Sequence, residues 1–388
     1  MKGFGNKNNS KKKKVIIKKK NNPSKDQIIN QAFKFHSQGN ISEAAKYYQQ
    51  FINQRFNDHR VFCNYGAILR SLGKLQEAEL LTRKAIQLNP NDAMAHLNLG
   101  LIFELNNKLE EAKNSYRNAQ VLKPDLDMNM SFASLYLIEK DPQNALICIN
   151  KFLEKNKTDT RAIAYKTIAL RGLNKFNEAK ELINFPKLVR KFYNQNLINE
   201  DIHEFNNLFR NSLLADPRRK TEENKSGWAI KGGTVIRELF DDKENPFISK
   251  FKIMLEKAIE RYIRDLSINS NHPFLLSKVE NFNIDNCWVN FLEPGDFQSN
   301  HIHNNGWLSG VYYLDEPKVE KDKENAGWIE FNRSGYNLPH FGGEKEIKLI
   351  KPEIGMFILF PSYVWHGTIP YNASYTRGSI SFDITINK

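Results

Sequence analysis

The sequence predicts a multidomain α plus β chain: an N-terminal α-superhelix of helix-pair repeats, then helices flanking a C-terminal all-β sandwich or barrel. Three observations predict it. A period of 34 residues runs through the first half. From residue 276 the apolar pattern switches to short alternating runs broken by turn residues. The chain has 388 residues, more than one core usually supports.

The repeat is read from small residues. Ala44, Ala78 and Ala112 are 34 residues apart, and Ala145 and Ala179 continue at steps of 33 and 34. Twelve residues before each alanine stand Ala32, Gly66, Gly100 and Ala133, with Thr167 as the exception. Seven residues after stand Phe51, Ala85, Ala119 and Phe152, and Pro90 and Pro124 close two repeats. Antiparallel helices approach closely only where side chains are short, and bulky apolar residues fill the gap to the next pair. Over residues 27 to about 185 this pattern resembles the tetratricopeptide repeat family. The resemblance implies a superhelix whose concave groove binds a peptide or protein.

The net charge is +13, but residues 1–25 hold ten lysines and no acid, which leaves 13 − 10 = +3 for the rest. The charge therefore argues for a basic, disordered tail over 1–25 rather than a specific nucleic-acid surface. No run approaches eighteen apolar residues, so no transmembrane segment is expected. Val15-Ile16-Ile17 is too short for a signal-peptide core. Cys63, Cys148 and Cys287 are far apart and form no CxxC pair. They read as buried thiols of a reducing, cytoplasmic compartment.

The expected domains are a repeat domain over 26–185, a helical linker with support helices over 186–275, and a β-core over 276–388. Residues 187–215 and 246–268 read as helical, with Ile253, Leu255, Ile259, Tyr262, Ile263 and Leu266 at helical spacing. Between them, residues 216–233 are polar and irregular. Strands are expected at 287–292, 308–314, 328–331, 347–350, 356–360 and 378–386.

The chemistry gathers in the last ninety residues. His301 and His303 project from one face of a strand, because side chains alternate. His366 can close a metal site if a neighbouring strand returns it, and Arg377 can grip a carboxylate. His340 reads as a loop residue, and Asp296 and Asp315 as turn acids. His36, His59, His96, His203 and His272 show no ligand spacing.

Three segments carry a second resemblance: Leu308-Ser309-Gly310-Val311-Tyr312-Tyr313-Leu314, Gly355 to His366 with Phe360-Pro361-Ser362, and Arg377-Gly378-Ser379-Ile380-Ser381. Together they resemble the iron(II)/2-oxoglutarate-dependent oxygenases of the double-stranded β-helix (jelly roll) fold, in a branch related to prolyl hydroxylases. The resemblance is close over 276–388 and loose over 200–275. It implies Fe(II) held by His301 and His366, with 2-oxoglutarate and O2 as co-substrates. It also implies that Arg377 and Tyr313 receive the far carboxylate; Ser379, two residues on along the same strand face, can add a hydrogen bond, and Asn290, on the Trp288 face of its strand, is a supporting candidate. Val311, Phe360 and Trp365 are expected to line the pocket.

One departure stands out. The family's usual HxD motif is HxH here, which leaves the centre one negative charge short. His303 ligates, stands aside for water, or marks a dead site; strand alternation favours ligation. The leading expectation is an oxygenase hydroxylating a protein or peptide side chain recruited by the repeats. The competing one is a non-catalytic repeat adaptor with a metal-binding, cupin-like β-domain. Arg377 and Tyr313 favour the enzyme, because a bare binding barrel needs no carboxylate clamp. The substrate and the oligomeric state are not written in the sequence.

Overall fold

The structure is a computed structural model that describes residues 23–193, 201–221, 229–316, 325–370 and 375–386. Most of the basic tail lies outside them. Five antiparallel helix pairs come first: α1 (Lys25–Ser37) with α2 (Ile41–Asn53), α3 (His59–Ser71) with α4 (Leu75–Leu88), α5 (Ala93–Leu105) with α6 (Leu109–Leu122), α7 (Asn129–Ile138) with α8 (Pro142–Lys155), and α9 (Thr160–Gly172) with α10 (Phe176–Ile183). Aspartates start several of them, with the Asp58, Asp92 and Asp159 side chains each accepting a first-turn backbone N–H.

The small residues act as the period predicts. A Cβ on Gly66 would sit 2.5 Å from Thr82 Oγ1, and one on Gly100 would overlap the Tyr116 ring. Ala32, Ala44, Ala78, Ala112, Ala133, Ala145 and Ala179 are buried. Thr167 is buried too, its hydroxyl donating to the Ala164 carbonyl at 2.7 Å. The larger side chain is tolerated because its polar atom is satisfied inside its own helix.

A short α11 (Phe185–Leu188) leads into β1 (Arg190–Tyr193). This corrects the expectation of helix from residue 187. Residues 190–193 instead pair antiparallel with Met356–Leu359, an edge-strand pairing that local periodicity could not report. Helix resumes as α12 (Ile202–Leu214). The stretch read as irregular contributes β2 (Lys220–Thr221) and β3 (Ile230–Lys231), and β4 (Thr234–Ile236) follows it. Next comes α13 (Pro246–Arg264), capped by Asn245 with Pro246 in its first turn.

The β-region holds β5 (Phe282–Leu292), β6 (Phe297–Gln298), β7 (Leu308–Tyr313), β8 (Ile329–Phe331), β9 (Lys348–Ile350), β10 (Met356–Pro361), β11 (His366–Thr368) and β12 (Arg377–Ile386). Among the described residues the major sheet runs β1-β10-β7-β12-β5-β4-β2 and the minor one β11-β8-β9, with β3 paired to β6. The C-terminal region is thus a double-stranded β-helix of antiparallel sheets with flanking helices.

The two faces of the major sheet have different tasks. One packs on α12 and α13: Phe251 meets Tyr312 and Phe357 at ring distances of 5.2 and 6.0 Å. The other carries Ser309, Val311 and Tyr313, which face Asp383, Ser381 and Ser379 of β12 in register. The repeats are not a separate arm at their C-terminal end. One buried cluster runs from Met130 to Ile384, so α7–α10 share a core with the sheets. The buried core runs across both expected limits, 185 and 275.

Candidate metal and 2-oxo acid site

His301 and His366 are brought together by backbone: each N–H donates to the other's carbonyl, at 2.9 and 3.1 Å. His303 N–H donates to the Ser362 carbonyl at 3.0 Å, which sets the second imidazole beside them. The Nε2 atoms of His301 and His303 are 3.2 Å apart, as are those of His303 and His366. No other group of three or more potential ligands clusters this way among the described residues.

The far nitrogens fix the protons. His301 Nδ1 faces the Ser299 carbonyl at 2.7 Å, His366 Nδ1 the Val364 carbonyl at 3.0 Å, and His303 Nδ1 the Asp383 carboxylate at 2.5 Å. Each partner only accepts, so each Nδ1 carries the hydrogen, which leaves Nε2 as the atom that can turn a lone pair inward. Three lone pairs this close repel unless a cation lies between them. Burial, then the neighbouring His303, pushes His301 down to about 3, and burial and both neighbours hold His366 far below its usual range. The donor set therefore fits a borderline metal ion of the iron–zinc series.

Arg377 is buried at the start of β12. Its Nη1 donates to the Gly327 carbonyl, and its guanidinium lies 5.6 Å from the centre of the Tyr313 ring. Burial holds the Tyr313 hydroxyl well above its usual range, against the pull of Arg377, so it stays a donor. Ser379 is buried opposite Tyr313 on the same face. Asn290 pairs with Ser379 in register; its Nδ2 donates to Ser381 Oγ at 3.0 Å, and its Oδ1 is buried without a partner. The Ser381 hydroxyl can donate as readily as accept, so this amide can turn either end away from it. A buried guanidinium, two hydroxyls and an amide on one sheet face fit an organic carboxylate.

Val311 and Phe360 are buried on the site side, with Phe360 4.5 Å from the His366 ring. Trp365 is a correction. Its indole N–H donates to the Ala164 carbonyl at 3.3 Å and its ring stacks on Tyr165. It precedes His366, and adjacent residues in an extended chain face opposite ways. His340 Nε2 lies 3.1 Å from the Gly343 carbonyl, Asp296 accepts from Glu293 N–H, and Asp315 holds Arg210 and Gly378 N–H.

Sequence reasoning passed over three neighbours: Asp383, Tyr336 and Trp288. Tyr336 OH reaches the Ile302 carbonyl at 3.3 Å, between the two histidines. Trp288 stacks on His303 at 5.8 Å. For Asp383 a signal existed, since Arg377, Ser379, Ser381 and Asp383 alternate onto one face of the last strand.

Fold and site thus define a double-stranded β-helix, with a histidine cluster that could hold a metal ion, fused to helical repeats. Residues 286–383 match the family model described as "Putative 2OG-Fe(II) oxygenase", and residues 59–92 and 81–114 match tetratricopeptide repeat models. The chain carries an oxygenase-family domain together with tetratricopeptide repeats. No curated protein matches. Similar solved structures include a Pseudomonas putida prolyl-4-hydroxylase (15% identity, 53% of this chain and 96% of that one, TM-score 0.35). A prolyl hydroxylase from Trichoplax adhaerens, in complex with a hypoxia inducible factor oxygen degradation domain peptide fragment, also matches (16%, 55% and 91%, 0.38). MamA protein matches at 17% identity over 40% of this chain and 86% of its own, with TM-score 0.36.

Proposed function

We propose that the chain is an iron(II)- and 2-oxoglutarate-dependent dioxygenase that hydroxylates a side chain of a protein or peptide recruited by the repeats. The observation that carries this reading is the convergence of three Nε2 lone pairs below a sheet face that also bears a buried arginine. His301, His303 and His366 would hold the metal. Bound iron(II) supplies the activation of dioxygen, coupled to decarboxylation of the 2-oxo acid.

The chain's own residues do the rest. Arg377 receives the far carboxylate of the 2-oxo acid, with hydrogen bonds from Ser379 and Tyr313 and support from Asn290. This orients the 2-oxo end toward the histidines. Val311 and Phe360 keep the cavity apolar and dry, which suits the oxidation of a C–H bond. The repeat groove supplies the affinity for protein or peptide, as is usual for such repeats. The three free cysteines suit a reducing, cytoplasmic setting. No described helix is long and apolar enough to cross a membrane.

The test is spectroscopic and chemical. Anaerobic protein given iron(II) and 2-oxoglutarate should develop the visible charge-transfer band of a chelated 2-oxo acid. Admitting oxygen should then yield succinate. A chain that gives neither is a repeat adaptor with a metal-binding β-domain.

A further inference from the structure

His303 occupies the position where this type of centre would take a carboxylate ligand. A carboxylate is nonetheless present one ring away. Asp383 Oδ1 lies 2.5 Å from His303 Nδ1, and the two side chains are 13% and 10% exposed. The same oxygen accepts the Ser309 hydroxyl at 2.7 Å. Ser309 Oγ lies 2.7 Å from Ser362 Oγ. A carboxylate cannot donate, so Ser309 spends its proton on Asp383 and Ser362 donates to Ser309. The other two imidazoles are backed only by neutral backbone carbonyls, of Ser299 and Val364. The charge is therefore built in at one imidazole and held there by an ordered hydroxyl chain.

We propose that Asp383 is a positioning residue that supplies the metal centre's missing negative charge through His303, locking its Nε2 lone pair onto the ion. The proposal rests on the reading of the three histidines as the metal site. A carboxylate behind a ligating imidazole raises its basicity and fixes its tautomer, and losing such a partner typically weakens metal binding by ~10–100-fold. The centre then keeps an all-nitrogen donor set, which favours cobalt, iron or zinc over magnesium or manganese.

The test uses the full chain, titrated anaerobically with Co(II) and Fe(II) and read by calorimetry and by the visible Co(II) absorption. Asp383→Asn keeps the shape and an acceptor oxygen but removes the charge. It should bind both ions ~10–100-fold more weakly. The double variant His303→Asp with Asp383→Asn moves the charge onto the ion itself and should recover most of that loss. Unchanged affinity in a folded Asp383→Asn overturns the proposal. If that variant fails to fold, Ser309→Ala replaces it; it keeps the charge and frees the carboxylate, so affinity should fall several-fold, and an unchanged value overturns the proposal. A chain that binds Co(II) but shows no 2-oxoglutarate band keeps this inference and loses the oxygenase reading. An Asp383→Asn protein with full metal affinity and an intact band does the reverse.

Discussion

Trp365 donates its indole N–H to the Ala164 carbonyl across 201 residues of chain, one position before His366 of the histidine cluster. The same ring stacks on Tyr165, 6.4 Å away, and meets Tyr336 edge-on at 5.1 Å. Thr160 and Arg171 bond to the Gly306 and Asn332 carbonyls from the same helix. Helix α9 is thus at once part of a repeat and a wall of the β-core.

It follows that the repeats cannot be trimmed to residue 185 without harm. A chain beginning at residue 126, which keeps α7–α10, should unfold cooperatively in urea and retain near-ultraviolet circular dichroism. One beginning at residue 186 exposes the core that α9 covers and should lose both. Trp365→Ala in the full chain should cost ~3–5 kcal/mol, by cavity formation and loss of the indole bond. Equal cooperativity in the two shortened chains would refute the shared core.

Metal binding should stabilise the fold. At about a hundredfold excess over the dissociation constant, Co(II) or Zn(II) should add ~2.7 kcal/mol to unfolding. His301→Ala and His366→Ala should abolish that gain, which differential scanning fluorimetry with and without metal would measure. A gain that survives in both variants would move the ion elsewhere.

Arg377→Ala should weaken 2-oxoglutarate binding by ~2–3 kcal/mol, since it removes a buried charged hydrogen-bond partner. Metal affinity should stay within a few-fold, because Arg377 lies six positions along β12 from Asp383. Calorimetric titration of the Co(II) form separates the two effects.

Gly310 explains itself once β12 is in place. A Cβ there would overlap the Phe382 ring and sit 2.7 Å from the Ile358 carbonyl. Gly310→Ala should therefore destabilise by ~1–3 kcal/mol through overpacking. Chemical denaturation would detect it, and a neutral result would mean that Phe382 can yield.

The stability of the chain should carry a signature of His272. Its Nε2 lies 3.2 and 3.1 Å from the Glu181 and Leu182 carbonyls, while Nδ1 accepts the Phe274 N–H. That is the neutral ring with both nitrogens in use, and burial holds it below its usual value of 6.5 despite the two carbonyls. The unfolded chain then takes up the proton first, so stability falls as pH drops below about 6.5. His272→Gln should flatten that part of the curve; an unchanged slope would assign it to other groups.

Local pattern alone determined a good deal. The 34-residue period located the helix pairs, because close helix contacts need small residues at fixed positions. Alternation placed Arg377 with Ser379 on β12, because parity along an extended chain is a covalent property; His301 and His303 share a side without a strand, His301 forming only an isolated bridge to His366. Only the tertiary structure decided what met across the chain. The register of β12 against β7 brought Asp383 to Ser309 and within reach of His303, 80 residues away. The packing of α9 turned Trp365 away from the pocket, and the free edge of β10 drew residues 190–193 out of a helix. Periodicity fixes which way a side chain points; which distant group stands there depends on pairing and packing energies that no single segment contains.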